Sequence, residues 1–229
     1  MNVISFSLYG QDPKYQRGMV ENIRLAAEIY PGWTVRVHHD GNPSPGVLAA
    51  AEAQGNTQLV DMSGDPLPGM FWRFLPHEGV DRVIYRDSDS RISERERAAV
   101  DEWVADGTTI HIMRDHPHHS FLILGGMWGL VPDRPLRSMA EDYVRGRNLG
   151  VDARMVDMDF LRDVVYNMYQ QSSTVHCSLQ RLSREPHSRS FPTRMVDHRF
   201  VGEIFEADGQ RAYQWTIWRD IADHELLRG

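Results

Sequence analysis

The sequence predicts an α/β fold in which helices flank a central, mixed and mostly parallel sheet. Two observations support this prediction. The chain begins with a strand, a helix and a second strand over residues 3–9, 14–30 and 33–38, which is the order of a βαβ unit. Further on, the run Val83-Ile84-Tyr85 is too short for a helix and is typical of a strand buried on both faces.

Local patterns predict the elements of the N-terminal half. The helix over 14–30 carries its apolar residues on one stripe, and Pro31-Gly32 ends it. A short helix over 47–54 and a strand over 57–62 follow. A helix over 70–75 then leads into the buried strand. Helices and strands therefore alternate, as an α/β fold requires.

The alternation continues in the second half of the chain. Ser93 and Glu96 form a capping box, so we expect a helix that runs to about Ala105 and ends at Gly107 in the left-handed conformation. The remaining predicted elements are a strand over 108–113, a segment with a helical apolar face within 132–150, a helix over 160–169, a strand over 173–177, a strand over 213–218 and a helix over 221–227.

Composition limits the class of protein. At 229 residues, with 41% hydrophobic and 25% charged residues, the chain fits one soluble domain spanning 1–229. A net charge of -7 without a basic run argues against nucleic-acid binding. Cys177 is the only cysteine, which favours a reducing compartment and predicts a cytoplasmic location. The apolar run Phe121–Val131 is too short to span a bilayer, so membrane contact would be peripheral.

Two carboxylates come just after the buried strand. Asp87 and Asp89 stand two residues apart, so on an extended chain they point to the same side and can share one divalent cation. The carboxyl end of such a strand faces the crevice where α/β sheets bind ligands. Alternatively, the Asp-Ser-Asp-Ser sequence is good chemistry for a surface turn, and spacing alone does not separate the two interpretations.

The segment that runs from Trp72-Arg73-Phe74-Leu75 to Asp81 through Asp89 resembles the region around the D-x-D motif of GT-A glycosyltransferases. It is most similar to the retaining family that contains glycogenin and bacterial lipopolysaccharide galactosyltransferases, although Arg86 replaces an apolar residue. The resemblance implies a GT-A fold, a UDP- or GDP-linked sugar donor, and a saccharide or glycoconjugate acceptor. Asp87 and Asp89 would hold Mn²⁺ or Mg²⁺ on the donor diphosphate.

The resemblance also implies further donor-binding residues. Arg73 would lie near the sugar and the first Asp, with Ser88 inside the motif. The first strand carries the nucleotide-base pocket in GT-A enzymes, which makes Ser7 and Tyr9 candidates to line it. Gly125-Gly126 occupies the position of the family's N-x-G segment, where glycine lets the backbone approach a ligand. A purely structural turn would also explain these glycines.

Candidate catalytic residues follow two further segments. Asp157 and Asp159 resemble the acidic positions of the family's D-Q-D-x-L-N segment, and either could sit at the reacting sugar. Both could instead begin a helix, where an acidic residue complements the dipole. Arg114 and Asp115 follow a strand and are candidates to bind sugar hydroxyls. The histidines at 116, 118 and 119 show no ligand spacing for zinc, so they could form a polar active-site rim or a plain exposed loop.

A third metal ligand would come from the C-terminal part, by the same resemblance. His176 at the end of a strand is the first choice. His198, in a segment similar to the family's H-x-x-G, is the second.

The predicted function is a metal-dependent glycosyltransferase, with a role in surface-polysaccharide assembly by analogy. With retention, the leaving diphosphate would help to deprotonate the acceptor. With inversion, Asp157 or Asp115 would act as the base. The alternatives are a Mg²⁺-dependent nucleotidyltransferase or sugar-phosphate enzyme, although no Gly-rich phosphate loop follows the first strand, and a non-catalytic carbohydrate-binding protein.

Overall fold

A computed structural model describes residues 1–74, 78–147, 155–212 and 225–226. Its strands are β1 (Asn2–Leu8), β2 (Thr34–His39), β3 (Thr57–Asp61), β4 (Arg82–Arg86), β5 (Ile110–Arg114), β6 (Trp128–Leu130) and β7 (Ser173–Cys177). They form one sheet in the order β3-β2-β1-β4-β6-β5-β7. In this sheet β6 runs antiparallel to β4 and β5, and the other pairings are parallel. The predicted fold class is confirmed.

The helices are α1 (Pro13–Ile29), α2 (Pro45–Gln54), α3 (Gly69–Trp72), α4 (Glu94–Asp106), α5 (Leu136–Gly146), α6 (Val156–Phe160) and α7 (Asn167–Tyr169). A π-helical segment, Leu161–Tyr166, joins α6 to α7. The helix predicted over 160–169 therefore exists as three consecutive helical segments, and it begins at Val156, four residues before the predicted start. The strand predicted at 213–218 and the helix at 221–227 lie outside the described residues, apart from 225–226. None of the described helices has the length and apolar composition needed to cross a bilayer.

The core consists of apolar layers on both faces of the sheet. On β4, Val83 and Tyr85 pack on one face, whereas Ile84 packs on the other, because successive strand side chains point to opposite faces. Helices α1, α2 and α4 cover the face of Ile84, and α3, α5 and α6 cover the face of Tyr85. Burial on both faces explains why β4 is apolar without alternation.

The capping box at the start of α4 is half correct. The Ser93 hydroxyl accepts a hydrogen bond from the Glu96 amide at 3.2 Å, and Gly107 ends the helix at a φ of 68°. The Glu96 carboxylate, however, does not accept a hydrogen bond from the Ser93 amide, as a complete capping box requires. It accepts hydrogen bonds from Arg86 at 2.7 Å and from the Tyr30 hydroxyl at 3.1 Å. This buried ion pair explains how Arg86 is tolerated next to the apolar run Val83-Ile84-Tyr85.

The glycine-rich segment before residue 130 contains a strand that was not predicted. Trp128 is fully buried and stacks on Tyr85 with ring centroids 4.1 Å apart. A Cβ on Gly129 would lie 3.0 Å from the Val83 carbonyl oxygen, so glycine lets β6 lie close to β4. Trp128 is therefore a core residue.

Candidate functional site

A cleft of about 610 Å³ opens at the carboxyl ends of β1 and β4. This volume lies within the range of small-molecule sites, and the position is where α/β sheets bind ligands. Its lining comes from the loops after β1, β4 and β5, from α1, α3 and α6, and from the segment at 200–204. The lining residues are Ser7, Tyr9, Tyr15, Met70, Arg73, Asp87, Ser88, Asp89, His116, His118, His119, Leu124, Gly125, Met127, Met155, Asp157, Met158, Phe200, Gly202 and Ile204.

The Asp-Ser-Asp-Ser segment both forms a turn and faces the cleft. The Ser90 amide and hydroxyl donate to the Asp87 carbonyl oxygen at 3.3 and 2.9 Å, which closes the turn. The Asp87 side chain is 47% exposed, whereas that of Asp89 is 12% exposed. Burial, and secondly the charge of Asp87, raise the pKa of Asp89. Turn chemistry and ligand-facing carboxylates are therefore not exclusive alternatives.

Arg73 is fixed at the centre of the cleft. Its amide donates to the Ser7 hydroxyl at 2.9 Å, and its carbonyl oxygen accepts from the Ser5 hydroxyl at 2.6 Å. The guanidinium pairs with Asp87 through one nitrogen and with Asp157 at 3.0 Å through the other. Ser7, predicted to line a nucleotide-base pocket, thus also holds the backbone of Arg73.

The structure separates the two acidic residues of α6. Asp157 lines the cleft, and its carboxylate also accepts from the Met158 amide at 2.9 Å. Burial raises the pKa of Asp157, and the charge of Arg73 opposes this shift only in part. Asp159 does not line the cleft and pairs with Arg147 at 3.1 Å and Arg162 at 2.7 Å. Asp159 is therefore removed from the candidate catalytic residues.

The glycine pair accommodates the charged side chains of the site. A Cβ on Gly125 would overlap the guanidinium of Arg73 and lie 2.8 Å from the Asp157 carboxylate. A Cβ on Gly126 would overlap the Asp87 carboxylate. Glycine is required at both positions because the side chains of Arg73, Asp157 and Asp87 pack against the backbone there. This requirement holds independently of any contact between the backbone and a ligand.

Two tyrosines line one side of the cleft. Tyr9 is 45% exposed, and its ring meets Trp72 edge to face with centroids 5.9 Å apart. Tyr15, from the first turn of α1, also lines the cleft. Both rings leave aromatic surface open to a ligand.

The histidines after β5 form the polar rim that was predicted as one alternative. The Nδ1 atoms of His116 and His119 accept hydrogen bonds from the amides of His118 at 3.1 Å and Asp115 at 3.0 Å. The ring of Phe200 lies 4.4 Å from that of His116. Within the part of the chain that the structure describes, no group of three His, Cys, Asp or Glu side chains could hold a metal ion.

Arg114 and Asp115, predicted to bind sugar hydroxyls, do not line the cleft. Asp115 is fully buried and accepts from Arg95 at 2.8 Å through both oxygens, from the Val201 amide at 2.8 Å and from Ser178. Arg114 is also buried and pairs with Glu185 at 2.8 Å. Both charges are satisfied inside the protein, so neither is available to a substrate.

Neither predicted third metal ligand lies in the cleft. His176 is fully buried on β7, and its ring nitrogens contact His111 at 2.9 Å and Glu102 at 2.9 Å. His198 is exposed outside the cleft and has a positive φ of 54°. Its neighbours Phe200 and Gly202 line the cleft instead. Neither histidine is placed to complete a metal site with Asp87 and Asp89 in this cleft.

Sequence reasoning missed Lys14, which contacts the site from α1. Its ammonium nitrogen lies 3.1 Å from an Asp89 carboxylate oxygen. The available signal was that Lys14 is the only lysine of the chain and follows the first strand after a short turn.

The carboxylates of Asp87 and Asp89 fit a hard divalent cation. Mg²⁺ sites commonly use one or two protein carboxylates together with substrate phosphates and water, so a third protein ligand is not required. Carboxylate oxygens also suit Mn²⁺. In the structure Arg73 and Lys14 balance these two carboxylates.

Neither a protein-family model nor a curated protein sequence matches this chain. Solved structures do match it. The galactosyltransferase LgtC, in complex with donor and acceptor sugar analogues, is 13% identical with a TM-score of 0.52, over 77% of this chain and 73% of that chain. The mannosyltransferase PcManGT from Pyrobaculum calidifontis, in complex with GDP-Man and Mn²⁺, is 14% identical with a TM-score of 0.47, over 86% of this chain and 58% of that chain. The seven-stranded sheet and the similarity to LgtC show that the chain has the GT-A fold.

Proposed function

We propose that this protein is a metal-dependent glycosyltransferase that moves a sugar from a nucleotide-sugar donor to a saccharide or glycoconjugate acceptor. One observation carries the proposal. On a GT-A fold, Asp87 and Asp157 pair with Arg73, and Asp89 lines the same cleft at the carboxyl ends of β1 and β4. Such clustering of charged groups in a ligand-sized cleft is typical of active sites.

The donor would bind with its base near Tyr9 and its diphosphate at Asp87 and Asp89. Mn²⁺ or Mg²⁺ held there would offset the negative charge that grows on the departing diphosphate. Arg73 would hold Asp87 in position through the ion pair described above and orient Asp157 with its second nitrogen. The histidine rim lies in the same cleft and offers polar groups to the acceptor.

Asp157 is the carboxylate best positioned for the reacting sugar. In a retaining reaction, which the sequence resemblance favours, it would face the sugar while the leaving phosphate accepts the acceptor proton. In an inverting reaction, Asp157 would itself be the base, because it lines the cleft and Asp115 does not. The stereochemistry of the product, measured by NMR of the new glycosidic bond, distinguishes the two. A role in surface-polysaccharide assembly and a cytoplasmic location belong to the same proposal.

Ligand-dependent thermal stabilisation tests the function. UDP and GDP, each with and without Mn²⁺, should raise the melting temperature only when the cation is present, since a ligand at a hundred times its Kd stabilises by about 2.7 kcal/mol. Asp89→Asn should abolish the shift. Asp159→Asn is the matched control, because Asp159 is acidic but lies outside the cleft.

A wild-type protein that shows no cation-dependent shift with either nucleotide would contradict the proposal and favour a non-catalytic carbohydrate-binding protein. Release of the free nucleotide from UDP- or GDP-sugars, with the sugar transferred to an acceptor, separates a glycosyltransferase from a nucleotidyltransferase.

A further inference from the structure

Helix α1 is fastened to the loop that carries Asp87 and Asp89. A Cβ on Gly18 would overlap the Ser88 carbonyl oxygen, so the helix packs directly on the loop backbone. One turn later, the side-chain amide nitrogen of Asn22 donates to the Ser90 carbonyl oxygen at 2.9 Å, and the side-chain oxygen of Asn22 accepts from the backbone amide of Ile92 at 3.1 Å. The relative position of helix and loop is therefore built into the fold.

Lys14 lies one turn before Gly18 on the same face of α1, since residues four apart are neighbours on a helix. Its ammonium nitrogen is 3.1 Å from Asp89, and its side chain is 22% exposed. The same nitrogen lies 5.4 Å from the ring centre of Tyr15, which lines the cleft. A positive charge is thus held at the edge of the cleft, beside the carboxylate that is proposed to bind the cation.

We propose that Lys14 is a diphosphate-binding residue whose ammonium group rests on Asp89 until a divalent cation takes that carboxylate. This inference rests on the proposed function. With a divalent cation on Asp89, the ammonium group of Lys14 would lose its partner and be repelled by the added positive charge. Lysine has a flexible stem and three donors that suit phosphate oxygens, so Lys14 would turn to the nearest phosphate of the donor.

The first test is Mn²⁺ binding to the nucleotide-free protein, measured by electron paramagnetic resonance of the free ion. Lys14→Met should bind Mn²⁺ about tenfold more tightly than the wild type, which corresponds to about 1.4 kcal/mol, because no ammonium competes for Asp89. Arg24→Met is the matched control. It also removes one positive charge from α1, but it lies ten residues further along the helix and pairs with Glu21 at the surface. Its affinity for Mn²⁺ should equal that of the wild type.

The second test measures nucleotide affinity, which the Lys14→Met substitution should weaken rather than strengthen. At saturating Mn²⁺, UDP and GDP are titrated by calorimetry. For the nucleotide that binds the wild type, Lys14→Met should raise the Kd about tenfold or more, whereas Lys14→Arg keeps a positive charge and should stay within about threefold. Circular dichroism and the melting temperature of each variant establish that it is folded.

A direct view is available because Lys14 is the only lysine. Reductive methylation with ¹³C-formaldehyde keeps the charge and gives one lysine signal, distinct from that of the N-terminal amine. This signal should shift when Mg²⁺ binds and shift again when UDP or GDP is added.

The outcomes separate this inference from the proposed function. If the wild type binds neither Mn²⁺ nor a nucleotide, both the proposed function and the inference about Lys14 are contradicted. If the wild type binds them and Lys14→Met changes neither affinity, only the inference is overturned. If Lys14→Met tightens Mn²⁺ binding but leaves nucleotide affinity unchanged, Lys14 is a counter-ion alone and the inference is again overturned.

Discussion

Arg73 donates a hydrogen bond to Asp157 over 3.0 Å, across 84 positions of the sequence. This contact joins the end of α3 to the start of α6, and the other arm of the guanidinium pairs with Asp87 at the end of β4. One side chain therefore brings three distant parts of the chain into one charged cluster.

Replacement of Arg73 by methionine should destabilise the protein and disable the site. Asp157 would lose the guanidinium group of Arg73 as its partner inside the cleft, and breaking a buried ion pair costs about 3 kcal/mol or more. Because Arg73 opposes the effect of burial, the pKa of Asp157 should rise further. Urea unfolding and NMR titration of the Asp157 carboxyl measure these effects. Arg162→Met, which removes an exposed ion pair, should cost less than about 1 kcal/mol; equal losses in the two variants would contradict the prediction.

Gly126→Ala should abolish cation-dependent nucleotide binding. The new methyl group would overlap the Asp87 carboxylate and lie 2.8 Å from its amide nitrogen, so the D-x-D turn must shift, at a cost of about 1–3 kcal/mol. Gly146→Ala is the control, because a methyl group added there, on α5, would have nothing within 4 Å. Thermal-shift titration with Mn²⁺ and nucleotide compares the two. Retained binding in Gly126→Ala would show that the turn tolerates the methyl group.

Asp115→Asn should lower stability but leave ligand affinity unchanged in the fraction that stays folded. Asp115 is buried under Arg95, Ser178 and the Val201 amide, and the loss of one partner from a buried pair costs about 3 kcal/mol. Chemical denaturation gives the stability, and calorimetry with Mn²⁺ and nucleotide gives the affinity. Weakened ligand binding without a loss of stability would contradict this prediction and show that Asp115 contributes to substrate binding.

Glu185 should make the protein sensitive to acid. Burial alone would raise the pKa of Glu185, but hydrogen bonds from Arg114, Tyr166 and Ser188 lower it from 4.5 to about 2. A carboxyl whose pKa is lower in the folded state adds stability above its unfolded pKa, here about 3 kcal/mol. That stability should be lost as the pH falls from about 4.5 to about 2.

The free energy of unfolding measured against pH checks this prediction. Glu185→Gln should be less stable at neutral pH, and its stability should fall less steeply below pH 4.5, the ordinary value for the carboxyl. A variant with the same acid dependence as the wild type would show that another group is responsible.

Local patterns sufficed for most elements. The buried run at 83–85 and the N-terminal βαβ unit gave β1, α1, β2 and β4 within one or two residues. The three residues of β6 were missed because a short strand rich in glycine has no periodicity to detect. The D-x-D motif, Arg73, Asp157 and the glycine pair were named from the sequence, and the structure brings them together.

Some predicted site residues share a local sequence signature with those that line the cleft but lie elsewhere in the structure. Asp115 follows a buried strand just as Asp87 does, and His176 ends a strand. In the sheet, however, β7 lies three positions from β4, which at about 4.8 Å per strand is about 14 Å. Strand order comes from the sheet and not from the spacing of residues along the chain.

The sequence by itself determined most of the helices and strands, the burial of β4 on both faces and the presence of two carboxylates at its end, because these depend on neighbours within a few residues. Only the tertiary structure decided which charges share a cleft. Arg73 meets Asp157 and Lys14 meets Asp89, whereas Asp115 and His176 are neutralised or hydrogen-bonded elsewhere. Whether a charged side chain reaches the cleft, and which partner it pairs with, depends on distant parts of the chain that only folding brings near.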